Sequence, residues 1–216
     1  MKKHTVAVCD FPAFSANSKR LFSSIENCLD SSEFEFIYLA TGRSHAQQLN
    51  MALNACRTEY ILFVDSDAEF TDKNRSIFSD LTEFWEGTPD VGSVSFGHVS
   101  SPVIVDETRS TPYHNFFITS FKMGLLNKYL MFDEVFEKTQ CLDVAWFRAI
   151  RHYGLDNYAH PCLDVVHHHT GGHADYVIEN QDKLRRMFGC ATDANPENSP
   201  NGWMVYENYL RTGVLQ

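Results

Sequence analysis

Short apolar runs alternate with amphipathic stretches in the first third of the chain. Three of these runs are typical of buried β-strands, because almost every residue in them is apolar and turn-forming residues bound them: 6–9, 34–39 and 60–64. The two stretches between them, 17–29 and 46–55, carry apolar residues at helical spacing. This succession of strand and helix predicts βαβ units, which form a parallel sheet with right-handed crossovers.

The rest of the chain continues the mixture. The pattern predicts helices at 77–85, 142–152, 181–188 and 203–211 and strands at 91–99 and 162–169, while 116–128 fits either element. Asn, Pro, Ser and Asp are frequent in 189–202, which indicates a surface loop. We therefore predict an α/β protein with a mainly parallel central sheet flanked by helices, and 216 residues suit a single domain.

Charge and composition narrow the class of protein. The 18 basic and 28 acidic residues give a net charge of −10, so we expect no nucleic-acid partner. No apolar run approaches the ~18 residues that a membrane span needs, and we expect a cytoplasmic protein without a transmembrane segment. The six cysteines form no CxxC pair, which argues against a zinc ribbon. An acidic protein that binds an anionic substrate needs a local cation, for which a metal ion is the obvious candidate.

Two aspartates follow directly after the third predicted strand. Asp65 and Asp67 are separated by one serine, and open parallel sheets bind ligands at the carboxyl ends of their strands. Two carboxylates are hard oxygen ligands suited to Mg²⁺ or Mn²⁺, and such an ion neutralises nucleotide phosphates. The alternative is a turn or a helix cap, where Asp and Ser are both favoured.

Residues 49–67, which include this strand and both aspartates, resemble a segment of the family 2-like nucleotide-sugar glycosyltransferases of the GT-A fold. Four later segments resemble the same family in the same order: 91–97, 132–136, 142–146 and 161–169. The resemblance implies the GT-A fold, the Rossmann-like fold of nucleotide-diphospho-sugar transferases. One domain would span 1–216, with a nucleotide-sugar donor half at about 1–99 and an acceptor and catalytic half at about 100–216.

The resemblance also implies an activity: metal-dependent transfer of a sugar, with inversion, from a nucleoside-diphosphate-sugar to a hydroxyl of a glycan, a lipid-linked acceptor or a protein. A UDP-sugar is the first expected donor. Asp65 and Asp67 would bind Mn²⁺ or Mg²⁺ on the donor diphosphate, and one of His167, His168 and His169 would complete the coordination. On a strand His168 faces away from the other two. Counting from Pro161 favours His167, whereas counting back from Gly171-Gly172 favours His168 or His169, so the choice among the three stays open. The alternative is a chance surface cluster or a pH-sensitive patch.

Asp143 is the candidate general base, which would take the proton of the acceptor hydroxyl as that hydroxyl attacks the anomeric carbon. The alternative is that Asp143 only caps the helix that follows it. Asp133 and Glu134 are the rival carboxylates. Phe11 is a candidate contact to the base or ribose, and Arg43 to a phosphate or the base, with core burial and a solvated surface position as their alternatives.

The chain departs from the family pattern in two places. Cys9-Asp10-Phe11-Pro12 replaces Pro-Thr-Tyr-Asn after the first strand, and Ala40-Thr41-Gly42-Arg43 replaces an acidic pair after the second, so the donor's base stays open. Two other functions remain as alternatives. One is a nucleotidyltransferase, although the Gly-rich basic loop expected after the first strand is absent from the sequence. The other is a non-catalytic relative that binds a sugar nucleotide or a partner protein.

Overall fold

The computed structural model describes residues 1–10, 15–96, 109–110, 117–126, 131–136, 141–160, 165–168, 177–189, 196 and 202–215. The strands are β1 (His4–Cys9), β2 (Phe34–Leu39), β3 (Tyr60–Val64), β4 (Ala68–Glu69), β5 (Val91–Phe96), β6 (Arg109–Ser110), β7 (Ile118–Lys122), β8 (Asp156–His160) and β9 (Val166–His167). The helices are α1 (Ser15–Cys28), α2 (His45–Ala55), α3 (Ile77–Gly87), α4 (Leu142–His152), α5 (Val177–Phe188) and α6 (Gly202–Thr212). Within these ranges no helix is long and apolar enough to cross a bilayer.

Seven strands form the central sheet, in the order β2-β1-β3-β7-β5-β8-β6. β1 pairs in parallel with β2 and β3, and β5 pairs in parallel with β8. β7 runs antiparallel between β3 and β5, and β6 runs antiparallel to β8. Five of the seven strands therefore point the same way, and the predicted α/β class with a mainly parallel sheet is confirmed.

Helices cover both faces of the sheet, which explains the continuous apolar runs of β1 and β3. Both strands are buried along their whole length. On one face, Ala7 and Phe63 join a core cluster with side chains of α2 and α4. On the other face, Val8 and Leu62 join a cluster with α1 and α3. Because successive strand residues point to opposite faces, a strand buried on both sides favours apolar residues at successive positions. The two polar residues of β1, His4 and Thr5, are buried with hydrogen bonds to Thr82 and Thr58.

The predicted elements are found with a few corrections. The ambiguous segment 116–128 contains an antiparallel strand, β7. The strand predicted at 162–169 is limited, among the residues described there, to β9, and the one at 91–99 is seen as β5. β4, β6 and β8 were not predicted, since β4 and β6 have two residues each and β8 is mostly polar. The predicted loop at 189–202 lies mostly outside the described residues.

Helix α4 is fixed to the sheet through a buried amide. Asn157 of β8 donates from Nδ2 to the carbonyl oxygen of Phe147, at 2.9 Å, and its Oδ1 accepts from Ser93 Oγ of β5, at 2.7 Å. A buried amide with its donor and acceptor both used specifies one position of the helix. The amino end of α4, which carries Asp143, is thereby held at a defined place relative to the sheet.

A second contact fixes α4 at its other end and yields a stability prediction. A Cβ on Gly92 of β5 would lie 2.5 Å from Ile150 Cγ2 and 3.0 Å from Leu155 Cβ. We expect Gly92→Ala to lower the free energy of unfolding by about 1–3 kcal/mol, because overpacking forces the helix or its side chains to shift. The measurement is urea unfolding, with Gly87→Ala as the matched control, since a Cβ there meets nothing within 4 Å. Equal stabilities of the two variants would contradict close packing at Gly92.

Candidate active site

Asp65 and Asp67 lie in a tight turn at the carboxyl end of β3. The N–H of Asp65 donates to the carbonyl of Phe117, at 3.0 Å, and the N–H of Ala68 donates back to the carbonyl of Asp65, at 3.1 Å. The chain then enters β4, where Ala68 pairs with His167 of β9 in an antiparallel ladder. The two carboxylates are therefore part of a turn, as the alternative interpretation held, but this turn leads directly to the late histidines.

The β4–β9 ladder brings His167 onto the Asp67 side chain. His167 Nε2 lies 3.1 Å from Asp67 Oδ2, and the two side chains are 15% and 18% exposed. His168 points elsewhere: its Nε2 lies 2.5 Å from Glu69 Oε2, while its N–H donates to the carbonyl of Asp67. His169 lies outside the described residues. Of the two histidines that the structure describes here, His167 is the one beside an aspartate of the pair.

Asp67 and His167 are in hydrogen-bond contact, and the same two side chains could hold a divalent cation. Two neighbouring ligands of an octahedral ion, each bound at about 2.1 Å, are about 3 Å apart, close to the 3.1 Å between Asp67 Oδ2 and His167 Nε2. An imidazole beside carboxylates suits Mn²⁺ better than Ca²⁺. Across the described ranges no three His, Cys, Asp or Glu side chains are grouped to hold an ion. Phosphate oxygens and water would therefore supply further ligands, as is usual for ions bound with nucleotides.

Three carboxylates create a strongly negative environment here. Burial raises the pKa of Asp65 well above its ordinary value, and the negative charges of Asp67 and then of Asp143 raise it further. Like charges close together in a poorly solvated place disfavour the ionised form of the carboxyl among them, which here is Asp65. A cation bound among them would relieve this repulsion. The negative charge of the site and the spacing of Asp67 and His167 therefore both favour a cation at this place.

Asp143 is the second residue of α4, and its carboxyl is a candidate base. The N-cap of the helix is Cys141, with φ 65°, so the interpretation of Asp143 as the cap is wrong. Asp143 Oδ1 accepts a hydrogen bond from the N–H of Val144, at 2.9 Å. Burial raises the pKa of Asp143 to about 6, although hydrogen bonds from backbone N–H groups oppose the rise. A carboxyl with this pKa is ionised at neutral pH and is a stronger base than an exposed one.

The rival carboxylates, Asp133 and Glu134, are engaged in structural contacts. Asp133 accepts hydrogen bonds from the Tyr209 hydroxyl, at 2.5 Å, and from a backbone N–H two residues further on, at 3.0 Å. Glu134 accepts from Gln47 Nε2 and Asn50 Nδ2 of α2, at 3.2 and 3.1 Å. Both oxygens of each carboxylate therefore accept hydrogen bonds within the protein.

Asn50 is a structural residue that its sequence pattern alone did not reveal. Its Nδ2 donates to the carbonyl of Phe132, at 2.9 Å, and its Oδ1 accepts from the N–H of Phe132, at 2.7 Å. This two-point contact ties α2 to the segment ahead of α4. Segments 49–67 and 132–136, which were identified separately by their resemblance to one family, are therefore in direct contact.

Of the two candidate donor contacts, Phe11 lies outside the described residues. Arg43 lies in the loop between β2 and α2, with an exposed side chain. Its N–H donates to Thr41 Oγ1, at 3.4 Å, and its carbonyl accepts from Gln48 Nε2, at 3.3 Å. The loop that carries Arg43 is thus held to α2. It lies at the carboxyl end of β2, on the same end of the sheet as the aspartates that follow β3.

Several solved structures share this fold. The mannosyltransferase PcManGT from Pyrobaculum calidifontis, in complex with GDP-Man and Mn²⁺, superposes with a TM-score of 0.60 at 16% identity, over 97% of this chain and 70% of that one. A fragment of S. aureus TarS in complex with UDP-GlcNAc superposes with a TM-score of 0.59 at 14% identity, over 97% and 72%. The chain spans 60% of the same TarS fragment, residues 1–349, in a second crystal structure and 44% of a longer TarS chain.

Sequence comparison gives the family. No curated protein matches the chain at a significant level, and the solved structures, at 16% identity or less, show the fold alone. The model of the family described as "Glycosyl transferase family 2" matches residues 15–150, which is more than half of the 216 residues. The chain therefore belongs to glycosyl transferase family 2 and has the GT-A fold of that family's solved relatives.

Proposed function

We propose that this protein is a metal-dependent glycosyltransferase that moves a sugar from a nucleoside-diphosphate-sugar to a hydroxyl acceptor, with inversion. One observation carries the proposal: Asp67 and His167 lie 3.1 Å apart near Asp65, whose pKa is raised by burial and then by the charges of Asp67 and Asp143. A pair of side chains that could hold a cation and a separate, partly buried carboxyl near it are what this reaction needs.

The donor would bind at the carboxyl end of β3. Asp67 and His167, with Asp65 beside them, would hold Mn²⁺ or Mg²⁺; a bound ion supplies positive charge that stabilises the departing diphosphate. The complexes of PcManGT with GDP-Man and Mn²⁺, and of TarS with UDP-GlcNAc, support a nucleoside-diphosphate-sugar as donor and Mn²⁺ as the ion. A UDP-sugar is the first donor to test. The donor half would be about 1–99 and the acceptor half about 100–216.

Asp143 would act on the acceptor. Its ionised carboxylate takes the proton of the attacking hydroxyl as the new bond to the anomeric carbon forms and the bond from that carbon to the diphosphate oxygen breaks. A single displacement from the side opposite the leaving group inverts the anomeric centre. The acceptor is a hydroxyl of a glycan, a lipid-linked sugar or a protein side chain.

A thermal-shift panel tests the donor part of this proposal. UDP, GDP, CDP and dTDP are each added with Mn²⁺, with Mg²⁺ or with a chelator. At least one nucleotide is expected to raise the melting temperature in the presence of metal and to lose this effect with the chelator, because a ligand that binds the native state stabilises it. Absence of a shift with every nucleotide and metal would contradict the proposal.

A hydrolysis screen with the sugar-nucleotides of the best base tests the catalytic part. Metal-dependent release of the nucleoside diphosphate is expected, since water can replace the acceptor hydroxyl slowly in such a site. Metal-dependent binding without release from any sugar-nucleotide, with or without simple glycan acceptors, would favour the non-catalytic relative that binds a sugar nucleotide.

A further inference from the structure

The carboxyl of Asp10 is buried, and only one of its oxygens is used. The residue is 1% exposed and follows directly after β1. Its Oδ2 accepts hydrogen bonds from Ser18 Oγ and from the Tyr38 hydroxyl, the latter at 2.9 Å. Its Oδ1 is buried without a hydrogen-bond partner among the described residues. A buried oxygen left in this state costs free energy, so a donor group from a ligand would stabilise it.

Asp10 lies at the carboxyl end of the parallel strands, the same end of the sheet as the proposed metal site. β1 lies between β2 and β3 in the sheet, and the N–H of Asp10 donates to the carbonyl of Leu39 at the end of β2, at 2.8 Å. Burial and, next, the negative charge of Asp65 raise the pKa of the neighbouring Cys9 thiol to about 12. The end of β1 is therefore the neighbour of the aspartates that follow β3.

The direction in which a donor must lie follows from the sheet order. Helix α4, which carries Asp143, packs on β5 and β8, whereas β1 and β2 lie on the other side of β3. In a nucleoside-diphosphate-sugar the diphosphate joins the sugar to the nucleoside. With the diphosphate at the end of β3, the sugar must lie on the side of Asp143 and the nucleoside on the opposite side. The nucleoside consequently extends over the ends of β1 and β2, where Asp10 is placed.

Gln48 connects Asp10 with Arg43 of the loop that follows β2. It is fully buried, and its Nε2 donates to the carbonyls of Asp10 and Arg43, at 3.4 and 3.3 Å. Asp10 and Arg43 are thus held to the same side chain. In the sequence, the segments 9–16 and 39–48 that follow β1 and β2 contain one acidic residue, which is Asp10.

We infer that Asp10 selects the nucleobase of the donor, by accepting on Oδ1 a hydrogen bond from a ring N–H. Uracil and thymine have such a group at N3 and guanine at N1, whereas neutral cytosine and adenine present a lone pair at the corresponding ring nitrogen. A carboxylate is an acceptor without a donor, so it attracts the first set and repels the second. This inference rests on the proposed function, because it assumes that a nucleoside diphosphate binds here.

Base-methylated nucleotides test the inference on the unmodified protein. Binding of UDP and N3-methyl-UDP, and of GDP and N1-methyl-GDP, is measured by calorimetry with Mn²⁺. Methylation is expected to weaken the tighter of the two nucleotides by roughly 10- to 100-fold, the usual loss when a buried charged acceptor loses its donor. CDP is expected to bind more weakly than that nucleotide. Equal affinities for the methylated and unmethylated forms would overturn the role of Asp10.

The Asp10→Asn variant tests the same point from the protein side. An amide can turn a donor toward the base, so the preference for UDP or GDP over CDP is expected to shrink or reverse, which loosened packing alone would not do. Asp90→Asn, in an exposed turn before β5, is the matched control for the change of charge, and its ranking of bases should equal that of the unmodified protein. An unchanged ranking in a folded Asp10→Asn variant would overturn the inference.

The failure of this inference differs from the failure of the proposed function. If no nucleotide binds the unmodified protein in the presence of metal, the glycosyltransferase proposal itself is contradicted. If nucleotides bind but neither ring methylation nor Asp10→Asn changes the ranking of bases, the donor site stands and only the role of Asp10 is lost. If Asp10→Asn does not fold, the methylated nucleotides decide.

Discussion

Replacing Asp143 by asparagine is expected to abolish sugar transfer and to leave donor binding intact. Asparagine cannot take the proton of the acceptor, and loss of a general base lowers kcat by about 10²–10⁴-fold. Its Oδ1 can still accept the hydrogen bond from the N–H of Val144, so the start of α4 keeps this contact. Release of the nucleoside diphosphate and the Kd of the nucleotide are measured on the same preparation. A variant that retains more than about a tenth of the rate would contradict the assignment of the base.

The pH dependence of the rate gives a second measure of the same residue. Burial raises the pKa of Asp143 from 3.8 to about 6, and only the ionised carboxyl accepts a proton. The rate of the unmodified protein is therefore expected to rise with pH through about 6 and then to level off. The residual rate of Asp143→Asn should lack this rise, whereas a residual rate with the same rise would assign it to another group.

Stability should change in the opposite direction to activity. The raised pKa means that folding favours the protonated carboxyl, so its contribution to stability is present below pH 3.8 and is lost as the pH rises through about 6. The difference between the two pKa values corresponds to about 3 kcal/mol. Asp143→Asn is expected to unfold at higher urea than the unmodified protein at pH 7.5 and at nearly the same urea near pH 4. This gain would separate a lost base from a lost fold.

Replacing Asp67 by asparagine is expected to abolish metal-dependent nucleotide binding. A ligand present at 100 times its Kd stabilises the native state by about 2.7 kcal/mol, and the variant should lose this stabilisation. His167→Ala should lose it in part, because one of the two paired ligands remains. The matched control is His168→Ala, since His168 contacts Glu69 instead of Asp67. Equal losses in the two histidine variants, measured by thermal shift with Mn²⁺, would contradict the assignment of His167.

The sequence predicted those parts of the fold in which burial requires a run of apolar residues. Residues 6–9 of β1 and all of β3 are apolar because helices cover both faces of the sheet. β8 has the sequence Asp-Asn-Tyr-Ala-His, and its strand conformation depends on pairing with β5 and on the buried amide of Asn157. Such pairing joins residues far apart in sequence, which no local periodicity records.

The candidate site was predicted as a set of residues but not as an arrangement. Alternation along a strand separates His167 from His168, but which of them faces Asp67 depends on the register of β4 against β9, a pairing between residues about 100 positions apart. Asp133 and Asp143 are likewise the same residue type, so the sequence alone does not distinguish them. They differ in their partners: a tyrosine hydroxyl saturates the first, and burial raises the pKa of the second.

The antiparallel strand β7 has a consequence for the order in which the strands of this chain can pair during synthesis. β3 and β5 precede β7 in sequence, but neither pairs with the other, and β7 joins them by pairing with both. During synthesis the apolar edge of β3 therefore stays open until residue 122 has left the ribosome. His167 is made later still, so the chain completes the strands that carry Asp65 and Asp67 before His167 can reach Asp67.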